Sequence, residues 1–171
     1  DGAQATQAQL QFPVDVVLSA SGELYIADRS NQRIRIVTTS GVMFTVEPVT
    51  SDSSKIVIEA VFGLGEAIVS GEVTPDLYMV DKKELRLLEK KVGRQEWQLV
   101  KSPLRGLGRE ATNIKVTLPP ERQNRQKLSD REILGLSELG RHIEELYQFP
   151  QDIEWAKEGA RLYIVQARPV T

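Results

Sequence analysis

Cysteine is absent from the 171 residues and histidine occurs once. The missing thiols exclude disulfides, thiolate metal sites and a cysteine nucleophile. Aromatic residues make up only 6% of the chain, which leaves few platforms on which nucleic-acid bases could stack. No apolar run approaches the ~20 residues of a membrane-spanning helix. The opening residues Asp1, Gly2, Ala3 and Gln4 lack the basic and apolar regions of a signal peptide. Together these absences predict a cytoplasmic protein with no membrane partner.

What remains is an ordinary globular composition, 40% hydrophobic and 27% charged, in a length that suits one domain with a real core. The net charge of −2 conceals an uneven distribution. Residues 41–81 carry one basic and seven acidic groups, whereas residues 82–127 carry 13 basic and five acidic. Acidic residues interleave with the basic ones and Trp97 is that stretch's single aromatic. It therefore reads as a solvated surface, and a nucleic-acid partner is not expected.

Residues 1–11 are mostly Ala, Gln and Thr, without a periodic apolar face, and read as a polar tail. Short β-type runs follow at Val14–Leu18, Leu24–Ala27 and Ile34–Val37, divided by Ser21-Gly22 and by Arg29-Ser30-Asn31-Gln32. This spacing predicts a three-strand meander. Its spelling, Phe12-Pro13-Val14-Asp15, then Gly22-Glu23-Leu24-Tyr25-Ile26, then Asn31-Gln32-Arg33-Ile34, resembles one NHL repeat, a blade of a β-propeller. A lone blade leaves faces and edges uncovered, so it must borrow a core from the rest of the chain.

Further β runs at Gly41–Val46, Lys55–Val61 and Leu77–Val80 frame the turn-forming cluster Thr50–Ser54, which predicts a hairpin. Between the last two runs, Gly63, Gly65 and Gly71 surround a short apolar stretch beginning at Glu66. Such glycines can bring backbone N–H groups close to phosphate, or can simply form a tight turn. Residues 82–127 alternate charged and apolar positions and predict a protruding hairpin followed by a loop. Ser129 and Glu132 spell a capping box, after which Ile133, Leu136, Leu139, Ile143 and Leu146 recur at helical spacing. His142 lies beside this stripe as a surface helix residue.

The last 20 residues read as two strands joined by a turn containing Gly159. Alternation places Asp152 with Glu154 on one face and Gln166 with Arg168 on one face. An odd-length loop brings the two faces together, and a simple two-residue loop separates them. Coincident faces would gather a carboxylate, an amide oxygen and a guanidinium, a set suited to Mg²⁺ and a nucleotide triphosphate. A structural Glu/Arg pair at a strand edge is the other reading.

Three groups of residues, taken in order, carry a broader resemblance: Gly41-Val42-Met43-Phe44-Thr45; Gly63-Leu64-Gly65-Glu66-Ala67 with Ser70–Asp76; and Asp152-Ile153-Glu154-Trp155 followed by Leu162–Pro169. They resemble the second half of the ATP-grasp nucleotide-binding domain of the phosphoenolpyruvate synthase and pyruvate phosphate dikinase family. The resemblance implies an α+β fold over residues 40–171, with a mostly antiparallel sheet and one long amphipathic helix, preceded by the NHL-like meander of residues 1–39. It implies ATP and Mg²⁺ as cofactors, with phosphoryl passing from ATP to a histidine on a separate domain and on to pyruvate. Glu154 and Gln166 match the family's Mg²⁺ ligands and Arg168 its phosphate-contacting catalytic arginine. Glu66 matches an acidic position near the phosphates, within the stretch bearing Gly63, Gly65 and Gly71. The first ATP-grasp half, the phosphohistidine domain and the pyruvate domain are not recognisable in this sequence, so the isolated chain is expected to be inactive unless those parts are supplied elsewhere. The alternative function is a non-enzymatic NHL-type interaction module.

Overall fold

The computed structural model describes the backbone of residues 13–18, 24–28, 33–101 and 113–170, with side chains over 38–100 and 113–170. Three strands, β1 (Pro13–Leu18), β2 (Leu24–Asp28) and β3 (Arg33–Val37), pair antiparallel in the order β1-β2-β3. This is the expected meander. Nothing in its pairing marks it as a propeller blade, and the polar tail and the turns between its strands lie outside the described residues.

β4 (Thr39–Phe44) and β5 (Lys55–Phe62) form the expected hairpin. At its turn, Asp52 accepts hydrogen bonds from the Ser54 hydroxyl at 2.6 Å and the Ser54 backbone N–H at 3.0 Å. The chain then runs through a four-residue helix α1 (Glu66–Val69) to β6 (Asp76–Asp81) and β7 (Arg86–Lys91). After β8 (Trp97–Lys101), β9 (Asn113–Thr117), α2 (Pro120–Gln123) and α3 (Asp130–Tyr147), it returns as β10 (Gln151–Glu158) and β11 (Arg161–Pro169). Six strands make one antiparallel sheet in the order β11-β10-β4-β5-β6-β7, and β8 pairs with β9 separately.

The region after residue 82 thus departs from the expected single protruding hairpin. Arg86–Lys91 joins the main sheet as an edge strand, and the separate ladder begins only at Trp97. An exposed edge strand and an isolated hairpin share the same alternating charged pattern, so alternation could not tell them apart. The basic residues here have acidic partners: Lys90 with Asp130 at 2.8 Å, Lys91 with Glu89 at 2.7 Å and Arg94 with Glu96 at 3.1 Å.

Alternation gives the large sheet two different faces. Met43, Ile56, Ile58, Ala60, Tyr78, Val80, Ile153 and Trp155 point to one side, where Leu128 and the α3 residues Ile133 and Leu136 complete the core. The opposite side carries half-buried Val42, Phe44, Leu77 and Met79 together with Glu59, Asp152 and Glu154.

Helix α3 starts as its sequence dictates, with the Ser129 hydroxyl accepting from the Glu132 backbone N–H and the Glu132 carboxylate accepting from that of Ser129. It approaches β4 closely at Gly140, where an added Cβ would stand 2.5 Å from Met43 Cε. Ion pairs Lys157–Glu132 at 2.7 Å and Lys82–Glu144 at 2.9 Å tie the helix to the sheet. The apolar stripe ends earlier than its spacing predicts: Leu146 is 77% exposed, one turn beyond the region that packs on the sheet.

A second anchor is polar. Asp76 and Lys127, both fully buried, pair at 2.7 Å. Asp76 Oδ1 also accepts from the Gly93 N–H at 2.9 Å, while Oδ2 accepts from the Tyr78 hydroxyl at 2.6 Å and the Lys127 backbone N–H at 2.8 Å. Lys127 Nζ donates further to the Gly93 carbonyl at 2.6 Å. Both oxygens of the carboxylate are therefore satisfied. Burial first, and then the neighbouring Asp76, push the Tyr78 hydroxyl's pKa up. This group joins β6, the β7–β8 connection and the approach to α3.

Candidate nucleotide site

The β10–β11 turn has only two residues, Gly159 and Ala160, with Gly159 in the left-handed conformation at φ +57°. From Glu158↔Arg161 to Trp155↔Ile164 the ladder follows the simple register that separates the two polar faces. A β-bulge then reverses the outcome. Val165 has no partner, and pairing resumes as Glu154↔Gln166 and Asp152↔Arg168. One extra residue moves the rest of a strand to its other face. Leu162, Ile164 and Ala167 pack against the core, and Gln166 and Arg168 lie on the side of Glu154 and Asp152.

Glu154 and Gln166 therefore stand directly opposite one another, on a face where Glu154 also neighbours Val42 of β4. Neither side chain has a hydrogen bond or ion pair among the described residues. Arg168 donates to Asp152 Oδ2 from Nε at 2.9 Å and from Nη2 at 2.7 Å. The Asp152 hydrogen bond and then its charge raise the guanidinium's pKa, with Glu154 adding to the effect. Arg168 is well exposed and keeps further N–H donors for a second anion. Sequence spacing gave Asp152 no role beyond sharing a face with Glu154; here it fixes the arginine.

A cavity of about 420 Å³ opens beside these strands, lined among others by Ser40, Gly65, Glu66, Val69, Glu154 and Val165. The turn after β5 brings the glycine-rich stretch to it. Gly63, at φ +80°, lies against β8, and an added Cβ would stand 2.5 Å from the Leu99 carbonyl oxygen. The Ser40 hydroxyl donates to the Gly63 carbonyl at 2.5 Å. Gly65 is the N-terminal cap of α1 and lines the cavity, as does Glu66, whose carboxylate accepts from the Asn113 side-chain amide. Gly71, at φ +68°, forms the turn beyond α1 with open space around it. The structure thus gathers Gly65, Glu66 and Glu154 around one cavity, with Gln166 across the ladder and Arg168 two pairs further on. Gly63, Gly71, Gln166 and Arg168 are outside the lining. His142 is an exposed residue on α3.

Oxygen donors alone make up the Glu154–Gln166 pair, and both are uncommitted to protein partners among the described residues. That chemistry fits a hard divalent cation, which takes one or two protein oxygens and leaves its other positions to phosphate and water. Burial pushes the carboxyl of Glu59, further across the same face, above its ordinary range.

Comparison with known proteins gives the chain a family. The family described as pyruvate phosphate dikinase, AMP/ATP-binding domain, matches residues 23–171, starting within the N-terminal meander. A protein named "Probable phosphoenolpyruvate synthase" from Archaeoglobus fulgidus is 50% identical over 132 residues, 77% of this chain and 16% of the relative. The phosphoenolpyruvate synthase of Pyrococcus furiosus is 45% identical over 134 residues, again 77% of this chain and 16% of its own. The rifampicin phosphotransferase of Bacillus cereus is 38% identical over 140 residues, 82% of this chain and 15% of its own. The matched stretch is therefore about a sixth of each relative's length. With the family match running through most of the sequence and over all the site strands, the chain belongs to the pyruvate phosphate dikinase AMP/ATP-binding domain family.

Proposed function

We propose that this chain supplies the metal- and phosphate-facing part of an ATP site in a dikinase-type phosphotransferase, in which ATP phosphorylates a histidine on another domain and the phosphoryl group passes on to pyruvate. The observation that carries this reading is the pairing of Glu154 with Gln166 on the same sheet face as Arg168. Glu154 and Gln166 would hold Mg²⁺, which neutralises charge on the transferring phosphate when bound. Arg168, steadied by Asp152, would present its remaining N–H groups to phosphate oxygens. Gly65 and Glu66 line the same cavity as Glu154. Phosphoryl transfer depends mainly on such positioning and charge compensation, so a face of this kind is useful before any acceptor arrives.

Relatives named for different reactions, phosphoenolpyruvate synthase and rifampicin phosphotransferase, share this stretch. That supports placing it on the donor side of the reaction, with the acceptor chosen by other parts of the protein. Completion of the site calls for the first ATP-grasp half, and turnover for the phosphohistidine domain. The family match and these relatives give the NHL-type interaction module no support. No helix among the described residues is long and apolar enough to cross a membrane.

Calorimetric titration with Mg-ATP tests the assignment on the parent chain, Glu154→Gln and Gln166→Ala. Each substitution is expected to weaken binding about tenfold or more, since one charge-assisted contact contributes about 1.5 kcal/mol or more. Equal affinity in all three proteins would remove the metal pair from the site.

A further inference from the structure

The side chains that share the face of Glu154 would be the same in a chain without Val165. If Val165 is removed, strict alternation along the remaining residues still directs Leu162, Ile164 and Ala167 to the core and Gln166 and Arg168 to the other face. The pairs Trp155↔Ile164 and Glu154↔Gln166 would simply become consecutive. Nor does the extra residue add to the core, because Val165 is 62% exposed.

What an unpaired residue does change is direction, since a bulge bends its strand and increases the local twist. This bend falls immediately before Gln166, against the residue pair that includes Glu154, and the Val165 side chain forms part of the cavity wall. A bulge that served only to blunt the edge strand β11 could stand anywhere along Arg161–Pro169. Its coincidence with the cavity favours a role in the site.

We propose that Val165 is a positioning residue whose presence as an extra strand residue turns Gln166 and Arg168 toward the cation and phosphate oxygens opposite Glu154. This rests on the nucleotide reading above. Metal ligands must be held within about 0.5 Å of their working geometry, so a change of strand direction is enough to spoil them without altering which residues are present.

The test compares the parent chain, a chain lacking Val165, Val165→Ala and Glu154→Gln. For each, the quantity measured is the gain in ATP affinity on replacing EDTA with excess Mg²⁺, beside the thermal unfolding midpoint. The deletion is expected to melt within a few degrees of the parent yet lose about tenfold or more of the Mg²⁺-dependent gain. Val165→Ala, which keeps the extra backbone unit, is expected to retain that gain within about twofold. A parental gain in the deletion overturns the proposal, as does an equal loss in Val165→Ala, which would assign the effect to the side chain. A deletion that does not fold also overturns it, by making the bulge a requirement of the sheet. Glu154→Gln separates this idea from the one beneath it: if the parent shows no metal effect, or that variant keeps the parent's in full, the metal site itself fails, whereas a loss in Glu154→Gln with none in the deletion refutes only the role of Val165.

Discussion

Replacing Lys127 with methionine is expected to destabilise the chain by about 3–5 kcal/mol, the cost of leaving a buried charge without its partner. Methionine reproduces much of the stem, so the loss falls on Asp76, which is fully buried and would retain three donors but no positive charge. The Gly93 carbonyl would lose its ammonium donor as well. Urea unfolding at neutral pH reads the effect directly. Adding Asp76→Asn to Lys127→Met is expected to recover more than about 1 kcal/mol, because the neutral side chain removes the unpaired charge while one oxygen can still accept from a backbone N–H. A loss below about 1 kcal/mol in the single variant would show that the pair contributes little to holding β6 against the approach to α3.

Gly41→Ala is expected to be nearly as damaging, at about 3 kcal/mol. Gly41 lies in β4 between β5 and β10, where an added Cβ would meet the Glu59 carbonyl oxygen at 1.8 Å and Trp155 Cζ2 at 2.7 Å. The first of these is backbone in the middle of a sheet and cannot turn away, so β4 and β5 must separate or Trp155 must leave its place in the core. Gly71→Ala is the control. Its φ of +68° costs about 1 kcal/mol, but nothing lies within 4 Å of the new methyl. If the two variants unfold at the same urea concentration, the crowding at Gly41 is not what makes glycine necessary there.

Much of this architecture was legible because it is local. The Ser129/Glu132 capping box marks the start of α3, and Thr50–Ser54 marks the hairpin turn, through bonds between residues a few positions apart. Three other features depend on the assembled sheet. Lys127 looks like one more cation in a basic stretch, since its partner is 51 residues away. The role of Asp152 depends on the register that sets Arg168 opposite it. Val165 is an ordinary strand residue by composition, yet it is the one left unpaired where the ladder changes register. Turn length alone puts Gln166 and Arg168 on the face away from Glu154, and family resemblance names these residues without the reason they meet. Leu146 shows the converse limit: helical periodicity continues past the point where there is still a sheet to cover.

The two methionines occupy opposite sides of one sheet. Met43 is fully buried, with its tip against Gly140 of α3, and Met79 is only half-buried on the other side. Peroxide should therefore convert Met79 to the sulfoxide early, while Met43 reacts only as often as the helix lifts away. Mass spectrometry of peptides taken during such a reaction would follow two clocks in a single tube, one reporting simple access and the other the opening of the helix–sheet seam. Matching rates at the two sulfurs would mean that the seam offers no protection.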